Sequence, residues 1–420
     1  MKGKFLLLFV LSLLFICPAT ITSNALEVES DVTVDVCLSN KNYTYIKSEY
    51  EYKGNNFEIN YNKMIRNKQI SKMGREKIIV NMLALNKSEK EIVCFLLPNF
   101  DIFFSKIKSE NEVLPINAEV TFLDGRFIYS KEKSGLVIDE TSFFSCLLNE
   151  LAKGNNITIK SKLVEKKADI TIYDLKQKTK LRSKESTSFA SSEEGRRHNL
   201  LKAMSCFNNL VVQPNERVSF NKITGEKSYE SGYKDAMVIL NGEFVKGVGG
   251  GVCQASSTIY NAALMAGLKI VEVHNHSLPV YYVPLGFDAM VSEYSDLVFE
   301  NNTGSPIYFK TYASGERVYA EVYGANMKGV SYKKVSKKIR DIETKEDIIK
   351  KDIEGKYSDK ITYKGEFYRT REPRVGYEVN AYLQEYNNGK LVSEKLIRRE
   401  IYAAQKGVVY EGACEKNENE

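Results

Sequence analysis

The chain has 420 residues, of which 43% are hydrophobic, enough for about three domains with real cores. Its 60 basic and 54 acidic residues leave a net charge of +6, which falls to +4 if Lys2 and Lys4 depart with a leader. No concentrated basic stripe accompanies that mild balance, which argues against nucleic acid as a partner. Seven cysteines at wide, irregular spacing without a CxxC exclude a disulfide-dense mini-fold and a zinc knuckle.

The N-terminus reads as a signal peptide over residues 1–25. Lys2 and Lys4 precede an apolar run at residues 5–17, the length of a signal-peptide core rather than of a membrane span. Ser23-Asn24-Ala25 is a small-x-small cleavage site, so the mature chain is expected to start near Leu26. The expected location is therefore extracellular, at the cell wall or cell surface, and a membrane is met only through an uncleaved leader if at all. Bulky Phe15 and Ile16 before Cys17 disfavour a lipoprotein. Removal of Cys17 leaves Cys37, Cys94, Cys146, Cys206, Cys253 and Cys414, an even set that permits disulfides in an exported protein.

Residues 26–113 read as a small α+β region, opening with an alternating strand at residues 31–36. Residues 114–180 form the next expected domain. Here a hairpin turns at Asp124-Gly125, and a helix capped by Thr141 or Ser142 runs to Leu151 and stops at Gly154. Strands follow at residues 157–163 and from residue 168. Residues 181–195, rich in serine, threonine and charge, read as a linker or exposed loop. A further domain is expected over residues 187–329. It opens with a helix from about Glu194 to Phe207, then a turn at Pro214-Asn215 and a hairpin around Asn241-Gly242. Residues 333–412 read as a mainly β accessory module, and residues 413–420 as a polar tail. The fold class expected is α+β and multidomain, with a mixed core domain and the β module after it.

The chemistry concentrates in residues 247–288. Gly249, Gly250 and Gly251 permit left-handed backbone and close main-chain approach. Cys253 follows at a helix start, where free N–H groups and the dipole favour a thiolate and could hold an oxyanion. One helical face carries Ser257, Tyr260 and Asn261, the opposite face Ile259, Ala262, Ala263 and Ala266, and Gly267 ends the helix. His274 and His276 lie two apart on a strand-like run, on one face. Either could serve as base to Cys253, with Asp288 as the nearest downstream acid to orient it and Asn275 and Asn261 as polar alternatives. Both could instead join Cys253 at a zinc ion, but no second cysteine lies nearby, so no metal is assigned. A disulfide partner or a buried small hydrophobe are the rival readings of Cys253. The glycine run lacks the lysine and Ser/Thr of a phosphate loop, and no cofactor is assigned.

Three stretches at residues 208–225, 232–268 and 274–289, including GVGGGVCQASSTIYNAALMAGL and HNHSLPVYYVPLGFDA, resemble the VanW family. Its members are associated with vancomycin-resistance gene clusters and are widespread in Gram-positive bacteria. The likeness spans about residues 187–323. It matches Arg196 and Asn199 to an arginine-x-x-asparagine helix and Pro214, Glu216, Phe220 and Asn221 to a proline-turn segment. It matches Gly249, Gly250, Gly251, Cys253, Gln254, Ser257 and Asn261 to the core, and His276, Pro279 and Asp288 to the closing segment. His274 matches less well, which favours His276 as the base. Asn215 replaces the usual glycine, a change asparagine tolerates in left-handed geometry. Residues 114–175 resemble the peptidoglycan-binding domain that commonly precedes this core. Residues 333–412 resemble a divergent five-glycine module of wall-associated proteins, short of several of its glycines. The resemblance implies a wall protein with peptidoglycan or its peptide stems as partner, and it supplies no reaction. Two functions are expected from the residues and the resemblance together. One is a peptide or acyl transferase or hydrolase with Cys253 as nucleophile, His276 or His274 as base, Asp288 beside them, and Gly249, Gly250, Gly251, Gln254, Ser257, Asn261, Arg196 and Asn199 around the substrate. The other is a non-catalytic wall-binding scaffold linked to glycopeptide resistance or envelope maintenance.

Overall fold

The computed structural model describes residues 31–51, 75–240, 243–344 and 346–415. The expected leader, the Asn241-Gly242 turn and the last five residues of the tail lie outside the described residues. The chain falls into two compact, interleaved units: residues up to 115 together with 134–167, and residues 116–133 together with 168–420.

The first unit holds a three-stranded sheet in the order Lys41–Ile46, Thr33–Leu38, Asn156–Ser161, antiparallel then parallel. The alternation Val34, Val36, Leu38 along the central strand, with Ile157 and Ile159 beside it, turns one apolar face inward. Helices Glu89–Leu96, Phe100–Asn111 and Glu140–Leu151 share that core. Phe104 is its aromatic centre, with ring centroids 4.6 Å from Phe143 and 4.8 Å from Phe144. The Glu140–Leu151 helix is capped by Asp139, whose carboxylate accepts from the Ser142 N–H at 3.2 Å. The cap therefore lies just before the Thr141 and Ser142 expected from sequence.

The second unit is built on a four-stranded antiparallel sheet in the order Lys180–Ser188, Arg317–Gly324, Ile307–Ser314, Val211–Val212. The first of these strands corrects the reading of residues 181–195 as a linker. Its inward side chains are Ser183 and Thr187, which bond to Ala262 O at 2.7 Å and to Thr258 Oγ1 at 2.9 Å. Polar groups satisfied by the neighbouring helix replace the apolar alternation that marks a strand. The hairpin Glu119–Leu123 and Arg126–Ser130 turns through Asp124 and Gly125 with φ of 49° and 64°, the left-handed pair of a tight hairpin. Its Phe122 and Phe127 meet Tyr308 edge-on at 5.3 and 5.1 Å.

The helix Val252–Met265 is the centre of this unit. Twelve of its fourteen residues are buried, so it is enclosed on all sides rather than split into a core face and an exposed face. Burial on that scale is tolerable because its polar side chains bond to neighbouring backbone and side chains. Helix Glu194–Ser205 packs beside it. The C-terminal residues form two three-stranded sheets, Val330–Ile342 with Gly376–Asn387 and Lys390–Tyr402, and Ile348–Lys351 with Val408–Glu411 and Phe367–Arg371. This β module is not a separate core. Ala381 lies within the same apolar cluster as the central helix, and Leu383 and Ile397 pack against it.

Candidate active site

Close packing of backbone decides where the thiol sits. A Cβ at Gly250 would lie 2.5 Å from Met237 O, and one at Gly251 would lie 2.6 Å from Arg196 O. Gly251 caps the helix at φ 105°, in the left-handed region. Asn199, fully buried, holds this turn: its amide donates to Lys234 O at 2.8 Å and Gly250 O at 3.0 Å, and its oxygen accepts from the Lys234 N–H at 2.8 Å. Cys253 becomes the second helical residue, among the first-turn N–H groups that no helical carbonyl can satisfy.

His276 is 5% exposed, and Asp288 is fully buried. One carboxylate oxygen of Asp288 accepts both the His276 backbone N–H and its Nδ1, each at 2.7 Å. With Nδ1 engaged, Nε2 is the imidazole nitrogen left to face the Cys253 thiol, and each group favours the charged form of the other. The thiol also points at Val291 O, 3.4 Å away.

These contacts outweigh burial. Burial, helped by the charge of Asp101, drives the Cys94 thiol up to about 11. Burial pushes Cys253 the same way, yet the hydrogen bond and charge of His276, with Val291 and Lys227 behind them, bring it below its ordinary value. Burial would likewise lower His276, but Asp288 and Cys253 raise it to about 9. Asp288, raised by burial and lowered more by His276 and Tyr402, stays ionised. Each partner thus favours the charged form of the other, and all six described cysteines are free.

His274 stands apart. The strand after the central helix ends at Glu272, so the run does not carry both histidines on one strand face. His274 Nε2 pairs with Glu272 Oε1 at 2.9 Å and remains partly exposed, while His276 turns inward. Among the described residues no group of three His, Cys, Asp or Glu is arranged to hold a metal.

The thiol opens on a cleft of about 1280 Å³ lined by Gly249, Gly250, Gly251, Gln254 and Arg196 and by the apolar side chains Met237, Val238, Val280 and Tyr282. Gln254 is buried, accepting from Arg196 Nη1 at 2.7 Å and donating to Ser188 O at 2.8 Å. Ser257 and Asn261 lie behind the cleft wall and act on backbone. Ser257 Oγ donates to Cys253 O at 2.7 Å and accepts from the Ala289 N–H at 2.9 Å. Asn261 donates to Phe287 O at 2.7 Å. Together they tie the thiol's helix to the segment bearing Asp288.

Two contributors had no sequence signal. Tyr402, the last residue of its strand, donates to the second oxygen of Asp288 at 2.5 Å and accepts from the Gly286 N–H at 2.7 Å. Arg398 Nη1 donates to Asp288 O at 2.6 Å. Both come from the β module, more than one hundred residues along the chain from the acid they hold.

Cys253, His276 and Asp288 thus stand together at the mouth of a cleft, the residue types of a cysteine–histidine centre. Residues 195–323 match the family model "VanW like protein", so the chain carries a VanW-like domain around this centre. Residues 38–160 match the model "Putative peptidoglycan binding domain", and the two matches fit a cell-wall-associated protein. The "Uncharacterized protein YoaR" of Bacillus subtilis (strain 168) is 40% identical over 152 residues, 36% of this chain and 50% of that protein. The "Vancomycin B-type resistance protein VanW" of Enterococcus faecalis (strain ATCC 700802 / V583) is 26% identical over 147 residues, 34% of this chain and 54% of that protein. The chain spans about half the length of these curated relatives. Two solved structures also resemble part of it. "IgA1 Protease G5 domain structure" shares 15% identity at TM-score 0.15, over 21% of this chain and 92% of that one. "Crystal structure of HP0197-G5" shares 18% at TM-score 0.12, over 20% and 95%.

Proposed function

We propose that this is an exported cell-wall enzyme that transfers or hydrolyses acyl groups on peptidoglycan peptides through Cys253. The single observation that supports it most is that Cys253 and His276 line one cleft, with His276 Nδ1 bonded to Asp288 at 2.7 Å. The thiolate adds to a peptide carbonyl, and first-turn N–H groups of the central helix receive the developing oxyanion. The C–N bond breaks, and the leaving amine takes the proton held on His276. The resulting thioester is resolved by water in hydrolysis, or by an acceptor amine in transfer. In either case His276 takes the proton of the incoming group. Asp288 keeps the imidazole oriented and stabilises its charge.

The competing reading is a non-catalytic scaffold that binds the wall, and the peptidoglycan-binding match over residues 38–160 agrees with it equally. Iodoacetamide labelling with peptide mapping separates the two. In the native chain Cys253 is expected to alkylate faster than Cys94, and isolated muropeptides are expected to protect it and yield a product that C253A does not form. A Cys253 as slow as Cys94, with no product lost in C253A, supports the scaffold.

A further inference from the structure

Two cations stand in the cleft beside Cys253 without a carboxylate partner. Arg196 is half-buried, and its Nη1 donates only to neutral oxygens, Ser192 Oγ at 2.8 Å and Gln254 Oε1 at 2.7 Å. Lys227, also half-buried, donates to the amide oxygen of Asn221 at 2.7 Å. The acid whose charge Lys227 feels most, Asp296, is engaged by the Ser219 hydroxyl and the N–H groups of Asn221 and Leu297. Neither cation forms an ion pair among the described residues, although many lysines and arginines of the surface do. Burying a charge is costly unless something compensates it. Both side chains reach the glycine turn. The Arg196 side chain approaches Gly251 to 3.0 Å, and Lys227 approaches Gly249 to 3.1 Å, each measured to a Cβ built on the glycine. Both line the same cleft as the thiol, and so do the apolar residues Met237, Val238 and Ile239.

We infer that Arg196 and Lys227 form a carboxylate subsite, so that the peptide attacked by Cys253 carries a free carboxylate close to the scissile bond, beside a small apolar side chain. This rests on the nucleophile reading above and deepens it. The thiolate accounts for part of the positive field, since both cations feel its charge. It is a single charge beside two cations, and the exposed carboxylates Glu226 and Glu293 that also line the cleft form an ion pair with neither among the described residues.

Iodoacetate and iodoacetamide distinguish a ligand site from cations that serve the thiolate alone. Both reagents consume the thiolate, so the ratio of their rates does not depend on how much thiolate is present; only the first carries a carboxylate. At Cys253, read by peptide mapping of the full chain, the iodoacetate-to-iodoacetamide ratio is expected to exceed that of the same peptide in the urea-unfolded chain. The excess should be about two- to fivefold, the size of a solvent-accessible ion pair. It should shrink in R196Q and again in K227M, and fall with added salt. Two separate variants guard against one that fails to fold. A native ratio at or below the unfolded one, or one unchanged in both folded variants, overturns the carboxylate subsite while leaving the nucleophile standing. Absence of any preferential Cys253 alkylation overturns the nucleophile reading itself.

Discussion

At the scale of single residues, the site turns on which effect prevails at a buried thiol. Cys94 shows the outcome when desolvation acts with little to oppose it, and Cys253 the outcome when His276 faces the thiol. Asp288 is the source of that difference, because it keeps His276 charged. An opposite charge at contact shifts a pKa by about one to three units, so D288N is expected to slow Cys253 alkylation at pH 7 by about tenfold or more, measured against the unchanged Cys94. The sign with pH follows from His276. Its pKa is raised, so the proton needed by the leaving amine is present below about 9 and lost as pH rises through that value. Peptide-bond transfer by the native protein is expected to decline above about pH 9. Alkylation, which needs no proton donor, should not decline there. A transfer rate that keeps rising past pH 10 would rule out His276 as the acid.

At the scale of elements, the glycine turn is a packing device as much as a conformational one. The main chain of Gly250 and Gly251 lies against the carbonyls of Met237 and Arg196 with no space for a methyl group. G250A forces the hairpin strand Asp235–Leu240 away from the helix start, and overpacking of this kind costs about 1–3 kcal/mol. Urea unfolding of the variant should show that loss together with slower Cys253 alkylation, since the same shift moves the thiol from His276. The Lys180–Ser188 strand teaches a related lesson. A strand whose inward residues are serine and threonine looks like a linker until the helix that satisfies them is in place.

At the scale of the molecule, the β module completes the centre rather than decorating it. Its Ala381 shares the apolar core of the central helix, and its Tyr402 and Arg398 reach Asp288. Y402F leaves Asp288 without one donor and the Gly286 N–H without its acceptor. An unsatisfied buried group costs about 1–3 kcal/mol, so the variant is expected to lower full-chain stability by that order and to slow Cys253 labelling as well. A Y402F protein with native stability and native labelling would show that the module's contact does nothing for the site.

Much of this centre was legible in sequence because its signals are local. Three glycines before a cysteine specify a tight entry into a helix, and Asn215 was expected to accept left-handed backbone, which it adopts at φ 64°. The choice between His274 and His276 was not local. It depended on where the strand ends and on which imidazole meets Asp288, twelve residues further on. Ser257 and Asn261 were expected beside the substrate from their helical face, and burial on all sides of that helix turned them to backbone instead. The sequence by itself determined the turn, the thiol helix and the residue types available for acid–base chemistry, since these follow from backbone preferences over a few residues. Only the tertiary structure decided the partner of the thiol, the support of its acid by Tyr402 and the two uncompensated cations. Each of those depends on side chains brought together from distant parts of the chain.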